Sequence, residues 1–550
     1  MRTATSSKTK ILVGGFFLCL LYFLAASAAA AQTFPQPDYF RKMHYNAPGQ
    51  LPGPEGLKEH VVDGKLRLSL ADAIQLVLAN NTDVQINRLS YESSRFGVLR
   101  AYQPFDPVFN ASFTSNRATS PTTSQLEGAA TLSTLSQSTN TSWTQTFQTG
   151  TRLQISFSGS KNTTNSTFST FNPSIGSSLN FNLSQPLLRS RWLFANRAPI
   201  VIAQRSLRQS RANFEVQVSD SVRSAIDQYW SVVQARENLK VLRKSLELAE
   251  ATYKQNKRAL ELGALPPLDI YRSESQVATR RVAVIQAEYD LRQLEDAFRR
   301  TVGADLDPLI RALDLDLTDT PESAGELLAI DAQQALEQAF ARRPELEAQR
   351  LQLANEDTSV RLAHNNLQPD LNFSTFYNSS GRGGNQLDPS TTPPTVLSQG
   401  GLIQALEQLS GFDFPSYGFT LTLRLPIRNR GAQADLGSAL ISQRRSLYTM
   451  RQREQSISLE VRNAVHQLEQ AKLSMAASRI ARDLALKNLE AEQRKYELGV
   501  QTIFFVLDAQ TQLATAEQNL LQAQISYRRA VTSLDRATGT LLERNNVKIQ

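Results

Sequence analysis

The residue types that ordinarily do chemistry are present in this chain but are not gathered. Its four histidines, His44, His60, His364 and His466, are scattered with no spacing of the kind that holds zinc. No Gly-x-Ser-x-Gly elbow presents a nucleophile, and no glycine-rich loop ahead of a helix cradles a phosphate. The single cysteine, Cys19, excludes a disulfide framework and cannot alone make a thiolate metal site. The sequence therefore points away from an enzyme, and no cofactor and no metal are expected. Asn-x-Ser/Thr triplets, as at Asn110, Asn162 and Asn372, arise by chance in runs this rich in Asn, Ser and Thr.

With chemistry set aside, the elements carry the information. Apolar residues make up 41% of 550 positions, charged residues 20%, and the mean hydropathy of -0.32 excludes a polytopic helical membrane protein. Arg2, Lys8 and Lys10 precede an apolar stretch from Ile11 to Leu24 and a small-residue run ending at Ala31, the tripartite pattern of a signal peptide cleaved near Ala31/Gln32. Export makes nucleic acid an implausible partner despite a net charge of +8. Charge is also segregated: residues 105–190 carry six charged side chains and residues 200–262 carry 18, so two kinds of structure alternate along the chain.

Self-comparison reveals a duplication. Glu261-Leu262-Gly263 recurs as Glu497-Leu498-Gly499, and Gln276, Ala287, Arg292, Arg300 and Gly303 fall in the same register on Gln512, Ala523, Arg528, Arg536 and Gly539. A second block aligns Ala73, Arg88, Pro107 and Asn110 with Ala335, Arg350, Pro369 and Asn372. The expected organisation is a signal peptide (1–31), a Pro/Gly-rich segment (32–65), repeat one (66–303), an equatorial linker (304–331), repeat two (332–542) and a tail (543–550). Repeat one divides into a helix 66–103, a β segment 105–188, a long helix 195–262, a tip turn 263–267 and a helix 268–302. Repeat two divides into helices over 332–368, a β segment 369–428, a long helix 438–498, a tip turn 499–502 and a helix 503–538.

Residues 200–262 and 438–498 contain neither Gly nor Pro, which predicts helices of roughly 90 Å. A seven-residue apolar recurrence through Val218, Ala225, Val232, Leu239, Leu246, Tyr253 and Leu260 marks a coiled-coil seam. The low-charge segments instead alternate, as at Phe109, Ala111, Phe113 and at Tyr417, Phe419, Leu421, Leu423. With Ser, Thr and Asn between, that period of two suits a barrel strand apolar toward lipid and polar toward a lumen, or an ordinary sandwich sheet.

Long helix, Leu-Gly turn, shorter helix and strand pair, all duplicated, resemble the TolC-like outer membrane efflux proteins. The carrying residues are Ser184-Gln185-Pro186-Leu187-Leu188, Leu425-Pro426-Ile427 with Gly431, Tyr496-Glu497-Leu498-Gly499 and Val506-Leu507-Asp508-Ala509. The resemblance implies a homotrimer with a single β-barrel in the outer membrane, in contact with its lipid, continued by a long coiled-coil α-helical barrel across the periplasm. Function would be passive conduction in a tripartite efflux or type I secretion system, with a periplasmic membrane-fusion adaptor and an inner-membrane pump as partners. Leu262-Gly263 and Leu498-Gly499 would be the tips, where the adaptor docks and the aperture opens.

The family often places an acid six residues after the tip glycine; repeat one has Asp269 there and repeat two has Phe505. Asp508 is retained, and in a trimer it would form a carboxylate ring favouring cations. Tyr496 matches a tyrosine of the family's gate network, whereas the expected arginine is Gln501, so an aromatic constriction at Phe505 would replace the usual salt-bridged lock. The plainer alternatives are an Asp508 that caps or solvates a helix end and a Phe505 packed between hairpins. Four strands per protomer is the family pattern; a hairpin around Trp143–Phe147 and Arg152–Phe157 offers two more. Solvated loops are the preferred reading of 114–142 and 160–178, and an outer loop that of 379–416. A secreted coiled-coil adhesin or stalk without transport is the competing function.

Overall fold

The computed structural model describes residues 53–123, 127–262, 267–322, 331–388, 390–391 and 394–549. The expected signal peptide and the tip glycine Gly263 lie outside the described residues. The elements are β1 (Val61–Val62), β2 (Lys65–Leu68), α1 (Leu70–Asn80), α2 (Thr82–Tyr102), β3 (Val108–Pro121), β4 (Thr131–Thr146), β5 (Arg152–Thr164), β6 (Phe171–Pro186), α3 (Trp192–Glu261), α4 (Pro267–Val302) and α5 (Pro308–Arg311). The second half holds β7 (Asp314–Leu317), α6 (Ala332–Arg342), α7 (Pro344–Asn365), β8 (Asp370–Asp388), β9 (Thr395–Ser398), α8 (Leu402–Gly411), β10 (Phe414–Arg424), α9 (Arg430–Glu497), α10 (Ile503–Thr538) and α11 (Leu541–Arg544).

The long helices α3 and α9 are 70 and 68 residues, and the shorter helices pair with them in two tiers. Near the sheet the packing order is α2, α3, α7, α9; farther away it is α4, α3, α10, α9. Two short helices thus stack end to end alongside each long one. The heptad seam is the reason: Val218, Ala225, Val232 and Leu239 of α3 and Val461 and Leu468 of α9 are buried. Where the tiers meet, β2 runs parallel to β7 in a three-stranded sheet with β1, and its Leu66 and Leu68 pack with Ile74 and Val77 of α1 onto Val222, Tyr229 and Phe298.

Three expectations are corrected. Residues 66–103 are not one helix: 65–68 form β2, and Ser69 then opens α1 with a reciprocal capping box to Asp72. Asn81 ends α1 in extended conformation, and its side chain caps α2 by accepting from the Asp83 and Val84 N–H groups. Residues 114–142 and 160–178 are not loops but lie largely in β3–β6, whose backbone groups pair across the sheet. Nor is 379–416 one outer loop, since β8 continues to Asp388 and a helix, α8, precedes β10. The main sheet therefore has six long strands in the order β10-β8-β6-β5-β4-β3, with short β9 on β8. Its β4–β5 hairpin closes through Phe147 N–H donating to the Thr151 carbonyl at 2.8 Å.

Candidate functional site

Strand register sorts the sheet into two chemically opposite faces. Directly opposed residues share a face, and one row across all six strands reads Phe109, Trp143, Ile155, Phe181, Tyr377, Tyr417. The row one residue along reads Asn110, Ser142, Ser156, Asn180, Asn378, Ser416. The apolar face continues through Phe113, Leu183, Phe373, Phe419, Leu421 and Leu423, all exposed. A soluble sheet would bury that face against a second layer. Here the two outer strands, β3 and β10, pair on one side only among the described residues.

α3 leaves the sheet after β6, so its C-terminal end lies roughly 100 Å away at ~1.5 Å per residue. At that end α9 terminates in a Schellman turn: the Val500 N–H donates to the Lys495 carbonyl and the Gly499 N–H to the Tyr496 carbonyl, both at 3.0 Å. The turn puts Gly499 at φ +70°, which explains a glycine there. Tyr496 packs beside Leu489, Ile503, Val506 and Leu507, and its hydroxyl donates to the Asn256 side-chain oxygen at 3.2 Å. Asn256 is fully buried and donates in turn to the Ser273 hydroxyl at 2.6 Å, so one polar chain crosses α9, α3 and α4.

Seams within each hairpin and contacts between hairpins differ in kind. Leu239, Val284 and Ala287 hold α3 to α4, and Leu489 with Val506 and Leu513 holds α9 to α10. Between α3 and α10 the end toward the tips is joined by polar contacts, Gln234 with Gln522, Asn238 with Gln518 at 3.0 Å and Thr252 with Gln510 at 3.3 Å, whereas nearer the sheet Leu521 and Ile525 of α10 are buried in the core that holds Val232 and Val233 of α3. Arg280 of α4 joins Ser245 to Thr511, and burial pulls its pKa below the ordinary value. Apolar seams keep each hairpin intact along its length, whereas toward the tips hydrogen bonds that water can replace join one hairpin to the other.

Asp508 lies in the second turn of α10, exposed, and accepts from the Gln512 amide at 2.7 Å; Thr502, not Asp508, is the N-cap. Phe505, one turn earlier on the same face, is also exposed, its ring edge-on to Phe504 at 5.4 Å. Leu262, Leu498 and Val500 are exposed, and Gln501 is half-buried with an amide oxygen that has no hydrogen-bond partner. Asp269 belongs to the first turn of α4, its side chain outside the described residues. Asn256 and Ser273 were not anticipated, although a polar residue three positions after Tyr253 in the seam is the signal that marks Asn256.

The profile of the outer membrane efflux protein family matches residues 148–304 and 335–540, one match in each repeat. The chain belongs to the outer membrane efflux protein family. Among its relatives, outer membrane protein TolC of Vibrio cholerae is 23% identical over 381 residues, covering 67% of this chain and 78% of that protein. Outer membrane efflux protein BepC of Brucella suis is 25% identical over 351 residues, covering 63% and 69%. The fold is that of the outer-membrane channel OprN (TM-score 0.61, 14% identity, 86% and 90% covered) and of the Campylobacter jejuni CmeC outer membrane channel (TM-score 0.61, 14% identity, 92% and 98% covered). This family member is an outer-membrane efflux channel of helical tunnel and β-barrel, which sets the adhesin or stalk reading aside. Family members are channels rather than enzymes. No described helix is long and apolar enough to cross a membrane.

Proposed function

We propose that three copies of this chain close head to tail into one conduit, passing substrate from an inner-membrane pump and its periplasmic adaptor across the periplasm and outer membrane. The observation that carries this reading is the open six-stranded sheet, apolar on one face and polar on the other. In lipid its two unpaired edges need partners. The two edges of a protomer are different surfaces, so joining β3 to a neighbour's β10 is a heterologous contact that closes into a ring. Three sets of six strands fall in the range that leaves an aqueous lumen.

The helical edges support the same closure. Beyond β3's side, α2 exposes Ile86, Leu89, Phe96 and Leu99, and α4 exposes Val282, Ile285 and Tyr289. Beyond β10's side, α9 exposes Ile441, Tyr448, Leu473 and Ile480. Two apolar stripes on opposite edges are complementary in a ring and costly in water. A signal peptide cleaved near Ala31/Gln32 delivers the chain, and most of its length stands in the periplasm.

At the far end of the tunnel, Asp508 would contribute a three-carboxylate ring and Phe505 an apolar ring one turn away. Tyr496 bound to Asn256 holds the α9–α10 hairpin inward, and the hydrogen-bonded part of the α3–α10 interface lets the tip of that hairpin swing while Leu521 and Ile525 keep it anchored nearer the sheet. Asp269 and Gln501 border this aperture. The tip residues Leu262, Gly263, Leu498 and Gly499 form the adaptor-docking surface, which two exposed leucines, Leu498 beside the tight turn at Gly499, suit. Native mass spectrometry of protein extracted from outer membranes in detergent tests the assembly: three mature chains are expected, and a monomer would contradict it.

A further inference from the structure

Between β9 and β10 the chain builds a ten-residue helix, α8, that lies on the sheet at the end away from the helical tunnel. Its backbone is seated directly on glycine and serine. Ser177 of β6 donates to the Ala405 carbonyl at 2.9 Å, and Ser379 of β8 donates to the Leu409 carbonyl at 3.1 Å. A Cβ on Gly381 would come within 1.9 Å of the Ala405 oxygen, and one on Gly383 within 2.1 Å of the Gly401 oxygen. Ser177 opposes Gly381 in register, and Ser379, Gly381 and Gly383 follow Tyr377 at alternate positions of β8. All belong to the apolar face, not the polar one. The Tyr377 ring also meets Phe412 at the end of α8, centroids 5.9 Å apart.

The helix thus lies outside the barrel wall, on the lipid side. On β8 the apolar run reaches only from Leu371 to Tyr377, roughly 20 Å of strand and about 15 Å of height at the usual tilt, against the ~25 Å band a membrane barrel needs. Above Tyr377 the next three positions of β8 on that face are Ser379, Gly381 and Gly383, which offer lipid no apolar side chain. α8 covers them with fully buried Ala405 and turns Leu402, Ile403 and Leu406 outward, Ile403 being 74% exposed. These side chains continue the apolar face of the sheet. α8 packs on β6 and β8, inside the edges where a neighbouring protomer would join.

We propose that α8 is a membrane-contact helix, with Leu402, Ile403 and Leu406 in the hydrocarbon of the distal leaflet, where they complete an apolar band that β8 leaves too short. The inference rests on the barrel reading above. Its test is electron paramagnetic resonance of the mature trimer in liposomes, with a nitroxide on Ile403→Cys, the one cysteine left once the segment holding Cys19 is cleaved. Phe419→Cys serves as the lipid-side reference and Asn378→Cys as the lumen-side one. At position 403, oxygen is expected to relax the label several-fold more than a water-soluble nickel chelate, as at position 419. Relaxation mainly by nickel places α8 in water, and shielding from both reagents places it under protein; either result overturns the proposal while position 419 still reports lipid. A position 419 dominated by nickel would overturn the barrel reading and the proposal with it. As a second readout, Gly381→Ala, which leaves the 403 side chain untouched, should unseat α8 and lower the oxygen-to-nickel ratio at 403.

Discussion

The Tyr496 hydroxyl donates a 3.2 Å hydrogen bond to the side-chain oxygen of Asn256, tying the last turn of α9 to α3 across 240 residues of sequence. Asn256 is buried and spends its amide on Ser273. Loss of the tyrosine hydroxyl therefore removes the donor to the Asn256 oxygen. A net hydrogen bond contributes about 1 kcal/mol, so Tyr496→Phe should shift the closed-to-open ratio of each protomer roughly fivefold toward open. Susceptibility of a host strain to large antibiotics reads this out: Tyr496→Phe should raise it, and unchanged susceptibility at equal protein level would remove Tyr496 from the closure.

Asp508 and Phe505 separate by their ionic readouts. Reversal potentials across a salt gradient should show cation preference in the wild type and little in Asp508→Asn, because three carboxylates at one constriction repel anions. Phe505→Ala should leave the preference and raise conductance by widening an apolar ring. Cation selectivity that survives Asp508→Asn would discard the carboxylate ring.

The capping box of α1 predicts an acid-sensitive junction. Burial opposes ionisation of Asp72, but hydrogen bonds from the Ser69 side chain and backbone, together with the His60 charge, outweigh it and hold the carboxyl below its ordinary value. A depressed carboxyl stabilises the fold above its unfolded pKa near ~4 and stops doing so as pH falls through the lower folded value. The protection of the α1 amides, as exchange relative to the intrinsic rate at each pH, should be higher at pH 7 than near pH 3. Ser69→Ala should cost about 1 kcal/mol at neutral pH and blunt that pH dependence; a variant as acid-sensitive as the wild type would contradict the assignment.

Where α7 stacks on α10, Arg536 bridges Asp220 at 2.7 Å and Glu345 at 2.9 Å. Burial works against the Arg536 charge, yet the two carboxylates prevail and raise its pKa. Arg536→Met would strand the nearly buried Glu345 and should destabilise the protein by about 3 kcal/mol, visible in denaturant unfolding. Pairing it with Glu345→Gln should recover part of the loss. Additive losses would show that the two side chains act independently.

The helical half of the fold was legible because its signals are long: the Gly- and Pro-free stretches and a seven-residue seam leave few alternatives. The sheet was legible only where one face is aromatic or aliphatic. On β4 the residues of that face include Thr141, Thr139 and Gln137 beside the single Trp143, so alternation fades and a barrel strand reads like a solvated loop. For α8, the apolar spacing of Leu402, Ala405, Leu406 and Leu409 was a helix signal hidden between glycines. No local pattern could pair Tyr496 with Asn256 or Arg536 with Asp220, since such partners meet only once the hairpins and the stacked tiers are assembled.

The central claim is that this chain forms a gated conduit, and single-channel recording in planar bilayers of the outer-membrane-extracted protein tests it most directly. The wild type should give small, uniform, cation-preferring steps, and the Tyr496→Phe/Phe505→Ala protein steps several-fold larger. An absence of steps in both proteins, or equal conductance in the two, would contradict the account.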